Sequence, residues 1–84
     1  MTQPLTMYTT TWCGFCKRLK RQLADDGIEM VEVDIEQDTA AADYVMSVNG
    51  GNQTVPTVVF PDGSALTNPS AATVKQRLQE LAAR

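Results

Sequence analysis

Two cysteines separated by two residues, Cys13-Gly14-Phe15-Cys16, sit where a short alternating stretch gives way to an amphipathic one. No other feature constrains the fold as strongly. Before the pair, Leu5 to Thr9 places Leu5 and Met7 on one face and Thr6 and Tyr8 on the other, which predicts a strand. After it, Cys16, Leu19 and Leu23 recur at helical spacing as a buried stripe, while Lys17, Arg18, Lys20 and Arg21 fill the opposite face. The pair therefore falls at a helix start, where the first N–H groups are unpaired and the helix dipole is positive. Those donors stabilise a thiolate, the nucleophilic form of cysteine, and predict a depressed pKa for Cys13. Lys17, one turn on, adds a screened positive charge. Cys13 is the expected nucleophile. Cys16 lies a turn inward and suits the resolving role. Gly14 lets a substrate backbone approach, and Phe15 offers an apolar surface beside the sulfur. Trp12 serves either packing or the site.

The rest of the composition narrows the function classes. Eighty-four residues with 43% hydrophobic content predict one globular domain spanning 1–84. No apolar run approaches the ~20 residues of a membrane span. Met1 to Met7 has no basic stretch leading into an apolar one, so no export leader and a cytoplasmic location are expected. Cytosolic thiols are held reduced, and a disulfide across two residues restrains little chain entropy, so the pair reads as catalytic rather than structural. A zinc site needs about four ligands, and the chain has no His and no second cysteine pair, so no metal is expected. A net charge of −3 argues against nucleic acid. The basic residues cluster from Lys17 to Arg21, and none occurs between Gln22 and Val74. The plainest reading of that cluster is the wet face of one helix.

Further along, Asp25-Asp26-Gly27 stops the first helix, with Gly27 as its cap. Ile28 to Ile35 predicts a second strand. Asp38 to Val48 predicts a helix with Ala41, Tyr44, Val45 and Val48 on one face, ended by Asn49-Gly50-Gly51-Asn52. Thr57 to Phe60 and Ala65 to Thr67 flank the turn Pro61-Asp62-Gly63-Ser64 and read as a hairpin. Ser70 caps a last helix with Val74, Leu78 and Leu81 as its stripe. The order β-α-β-α-β-β-α predicts an α/β fold with one mixed four-stranded sheet flanked by helices on both faces.

A second element joins the cysteine turn. Thr54-Val55-Pro56-Thr57 opens the third strand, where a proline that cannot donate to the ladder is tolerated. The Trp12-Cys13-x-x-Cys16 turn, the Thr54-Val55-Pro56 segment and the order of elements resemble the glutaredoxins of the thioredoxin superfamily over nearly the whole chain. The resemblance implies a thioredoxin fold and a cis Pro56 packed on the active-site turn. It also implies that Val55 offers its backbone N–H and C=O to a bound thiol, like an added strand.

Within that group the chain is most similar to the mycoredoxins, through Tyr8 to Cys16, Ser47 to Asn52, Thr54 to Thr57 and Asp62 to Ser70. That likeness implies a thiol–disulfide oxidoreductase that removes mycothiol from mixed disulfides by a monothiol route. Mycothiol, recycled by an NADPH-dependent reductase, would be the reducing co-substrate, with no bound cofactor and a monomeric protein. Glutathione-using relatives carry a basic residue before the first cysteine, where this chain has Thr9, Thr10 and Thr11. They carry Gly-Gly and an acidic residue after the last strand, where it has Thr67-Asn68-Pro69-Ser70. Mycothiol has no carboxylates, so the uncharged Thr67 and Asn68 suit it as binding residues. Three alternatives compete. One is a dithiol carrier recharged by thioredoxin reductase, although the Ser-Gly-Phe-Arg-Pro type segment of such carriers is missing. Another is a [2Fe–2S] module, since Cys-Gly-Phe-Cys differs in one residue from the Cys-Gly-Phe-Ser of cluster-binding glutaredoxins. The last is a binding module using the basic helix face.

Overall fold

The structure, a computed structural model, describes residues 5–83. Most of the stretch Met1 to Met7, read above for an export leader, lies outside them. Seven elements follow in the predicted order: β1 (Leu5–Thr9), α1 (Gly14–Asp25), β2 (Met30–Asp34), α2 (Thr39–Val48), β3 (Thr57–Val59), β4 (Ala65–Thr67) and α3 (Ala71–Ala82). The sheet order is β2-β1-β3-β4. β1 pairs parallel with β2, from Leu5 opposite Met30 to Thr9 opposite Asp34. β3 runs antiparallel to both β1 and β4. The sheet is therefore mixed, as the order of elements requires.

Strand alternation assigns the two faces. Leu5, Met7 and Val58 bury against Leu19 and Leu23 of α1 and Val74 of α3, with Leu78 and Leu81 packed alongside. On the other face Ala41, Ala42 and Val45 of α2 pack with Ile35, Tyr8, Val33 and Val55. Burying a side chain such as Leu23 contributes about 1.5–3 kcal/mol, so the α1 stripe is what holds the cysteine-bearing helix on the sheet. Ser70 caps α3 as its sequence predicts, accepting from the Thr73 N–H, whereas Asp38, read as the start of the second helix, is its N-cap and accepts from the Ala41 N–H. Gly27, just past the end of α1, has φ +73°, a conformation that favours glycine.

Three expectations need correction. β2 is shorter than Ile28 to Ile35: it spans Met30–Asp34, each residue paired with one of Leu5–Thr9. β3 stops at Val59, and Phe60 turns out of the ladder to donate its N–H to Ser64. Val48 is not on the buried face of α2. It lies in the last turn and is 41% exposed, while Ala42 takes the inward place.

Candidate active site

Cys13 is the N-cap residue of α1, and its sulfur accepts a hydrogen bond from the Cys16 N–H at 3.1 Å. The cap position normally goes to a side-chain oxygen, because that acceptor satisfies a donor the helix cannot. Here a sulfur does it. The same donor that completes the helix would hold a thiolate on Cys13. The turn is set by the Cys13 N–H donating to the Thr10 carbonyl and the Lys17 N–H to the Cys13 carbonyl. Cys13 and Cys16 are joined as a disulfide with their Cα atoms 5.3 Å apart. Both are buried, Cys16 more deeply at 1% exposure against 5% for Cys13, as its place on the inward stripe predicts.

The neighbours behave differently. Trp12 is 72% exposed and Phe15 64%, so neither is a core residue. They flank the disulfide as an apolar surface, with the Arg18 guanidinium 5.9 Å above the Phe15 ring. Gly14 is exposed between them, and nothing lies within 4 Å of where a Cβ would project.

Val55 and Pro56 come to the turn from 42 residues away. The Val55–Pro56 bond is cis, and the Val55 carbonyl oxygen lies 4.0 Å from the Cys13 sulfur. Pro56 is buried and Val55 is half-buried against the α2 side of the core. The Pro56 carbonyl accepts from the Asn68 N–H at 2.7 Å, which ties the end of β4 to the same loop. Asn68 itself has φ +48°, a left-handed conformation that Asn adopts more readily than most residues. With Phe15, Arg18, Pro69 and Ser70 it lines a cavity of about 460 Å³ between α1 and α3.

Thr67 is exposed at the end of β4, but its hydroxyl is engaged with the Asn49 side-chain carbonyl. Asn49, at the end of α2, also donates its amide to the Thr57 hydroxyl. Reading the sequence for site residues missed Asn49. It stood inside the Ser47 to Asn52 stretch that carries the family likeness, and that was the one available pointer.

On the far side of α1, Thr9, Thr10, Thr11, Cys16 and Lys17 line a second crevice of about 440 Å³ against Glu32 and Asp34 of β2. Part of the basic face is spent there, since Lys20 pairs with Glu32 at 3.3 Å. Thr10 is 6% exposed, and its hydroxyl oxygen has no hydrogen-bond partner among the described residues. No group of three His, Cys, Asp or Glu side chains among those residues could hold a metal ion. Among the described residues no helix is long and apolar enough to cross a membrane.

Comparison with known proteins agrees with this geometry. The glutaredoxin family profile matches residues 5–64. A provisionally named glutaredoxin of Mycobacterium tuberculosis is 60% identical over 82 residues, 98% of each chain. Mycoredoxin 1 of Corynebacterium glutamicum is 45% identical over 78 residues, covering 93% of this chain and 96% of that one. The crystal structure of a glutaredoxin from Archaeoglobus fulgidus superposes with a TM-score of 0.71 at 25% identity, covering 86% and 82% of the two chains. A cysteine that caps α1 and pairs with Cys16, a Val55-Pro56 loop against it and these likenesses have one common reading: the chain belongs to the glutaredoxin family of thiol–disulfide oxidoreductases.

Proposed function

We propose that this oxidoreductase reduces mixed disulfides between proteins and mycothiol, with mycothiol as its electron donor and Cys13 as its only obligatory cysteine. The likeness to Mycoredoxin 1 over nearly the full length of both chains carries the reading. The chemistry around the sulfur supports it. The wall from Thr54 to Ser70 contains no Lys or Arg, and its polar groups beside Pro56 are Thr67 and Asn68. Glutathione brings two carboxylates, for which that wall supplies no cation and the facing α1 side of the cavity supplies Arg18 alone. Mycothiol brings hydroxyl groups instead.

In the proposed cycle the Cys13 thiolate attacks the mycothiol sulfur of the mixed disulfide. The protein's cysteine leaves as a thiolate and takes up a proton, and a Cys13–mycothiol disulfide forms. A second mycothiol thiolate attacks that bond and frees Cys13, releasing mycothiol disulfide. An NADPH-dependent reductase returns this to two thiols. The Cys16 N–H steadies the Cys13 thiolate at both ends of the cycle, because it already caps that sulfur. Val55 pairs its backbone with the acylated cysteine of the substrate, and Trp12 and Phe15 cover the sulfur from either side. The reading places the protein in the cytoplasm as a monomer with no resident cofactor.

Turnover of one protein mixed disulfide, prepared with mycothiol and with glutathione and assayed at equal concentrations, tests this. Each charge-assisted contact that glutathione fails to make forfeits about 1.5–3 kcal/mol, so mycothiol should be ahead by roughly ten- to a hundredfold. Equal or faster turnover with glutathione overturns the reading. The closed Cys13–Cys16 disulfide favours one other scheme, a dithiol carrier in which Cys16 displaces the bound thiol. Efficient recharging by thioredoxin reductase and NADPH would decide for that scheme.

A further inference from the structure

A chain of side-chain hydrogen bonds runs behind the Val55-Pro56 loop, and its direction is fixed from one end. The Thr57 hydroxyl lies 2.8 Å from the Thr54 carbonyl oxygen, which can only accept, so Thr57 spends its proton there. The Thr57 oxygen is then an acceptor for its next neighbour, the Asn49 side chain at 3.2 Å. That fixes the Asn49 amide with its NH2 toward Thr57 and its carbonyl away from it. The carbonyl meets the Thr67 hydroxyl, which must therefore donate. Thr67 is exposed at the end of β4 with its only proton turned inward. What it shows to a ligand is lone pairs.

We infer that Asn49 is a specificity-determining positioning residue, holding the Thr67 hydroxyl as an outward acceptor that favours hydroxyl-bearing thiols over carboxylate-bearing ones. A ligand hydroxyl has a proton to give to that oxygen. A carboxylate has none at neutral pH and would face another acceptor. The three segments linked by the relay, the end of α2, the start of β3 and the end of β4, are also those around the loop facing Cys13. The acceptor thus stands one strand over from Pro56, and the neighbouring Asn68 N–H is already spent on the Pro56 carbonyl. This inference deepens the mycothiol reading and rests on it for the identity of the hydroxyl-bearing thiol.

The test is a ratio. One peptide is prepared as a mixed disulfide with mycothiol and with glutathione, and kcat/KM is measured on both. Asn49→Leu frees the Thr67 proton to turn outward toward a carboxylate, so the mycothiol-to-glutathione ratio should fall roughly three- to tenfold. Thr67→Val, at an exposed position, removes the acceptor without touching the core and should also lower the ratio. Asn49→Asp keeps an oxygen to accept from Thr67, and its ratio should not fall. A merely structural role for Asn49 would lower both rates by a common factor and leave the ratio where it was, which overturns the inference. The mycothiol reading fails separately, if the unsubstituted protein shows no preference. The relay is then still judged by whether Asn49→Leu moves the ratio.

Discussion

Thr10→Val should make the oxidised protein more stable, although it removes a polar group next to the active-site turn. The Thr10 hydroxyl oxygen is buried with no partner among the described residues, in a residue 6% exposed. Leaving a buried hydroxyl unpaired costs about 1–3 kcal/mol, the desolvation it never recovers. Valine puts a methyl in nearly the same volume, so the cost disappears without opening a cavity. The backbone is not asked to change. The Thr10 carbonyl still accepts from the Cys13 N–H at 3.3 Å. A gain of about 1–2 kcal/mol is expected, against a total for a chain of this length of roughly 4–13 kcal/mol. Each kcal/mol moves the melting midpoint by about 4–8 °C in a domain this small. Denaturant unfolding with the disulfide intact, followed by far-ultraviolet circular dichroism, measures the change if the slope against denaturant stays constant. Destabilisation by about 1 kcal/mol or more would refute the reasoning, because it would mean the hydroxyl is well partnered in solution.

Other outcomes follow from the same geometry. Cys13→Ser should abolish turnover of mixed disulfides, whereas Cys16→Ser, which keeps the backbone N–H that caps Cys13, should retain most of it; complete loss in Cys16→Ser would sink the monothiol cycle. In reduced protein, thiolate absorbance or alkylation rate against pH should place Cys13 below the ordinary thiol value of roughly 8.5, and an ordinary titration would remove the capping argument. Tyr8 has its pKa raised above the usual phenol value, first by burial and then by the neighbouring Tyr44 and Asp38. The unfolded chain therefore loses that proton first, so the contribution is complete below about pH 10 and fades as the pH climbs through the raised value. Tyr8→Phe should flatten that alkaline decline, and an unchanged profile in a pH series of melting curves would count against it.

The element order, the cysteine turn and the Ser70 cap were all legible in the chain, because each depends on residues within one or two turns of each other. Alternation from Leu5 to Thr9 and the spacing of Cys16, Leu19 and Leu23 are local patterns, and the structure keeps both. Val48 shows where that logic fails. Its spacing suits the buried face of α2, but at the helix end it is the next residue, Asn49, that meets β3 and β4, and Val48 stays 41% exposed. The C-terminal end of β2 depended on how far β1 extends, which a strand's own residues do not record.

The reactive group is a property of the sequence. A cysteine at a helix start acquires its N–H donor from the backbone three residues on, whatever the rest of the molecule does. The surroundings of that group are a property of the fold. Val55 approaches Cys13 from 42 positions away, and the Thr67 hydroxyl meets an amide 18 positions away. Neither contact has a local signature, because hydrogen-bond direction across a sheet depends on strand register and on which helix end packs beside it. Thr67 looked from sequence like a free hydroxyl for a ligand. Only the packing of α2 against β3 and β4 turned its proton inward, toward Asn49.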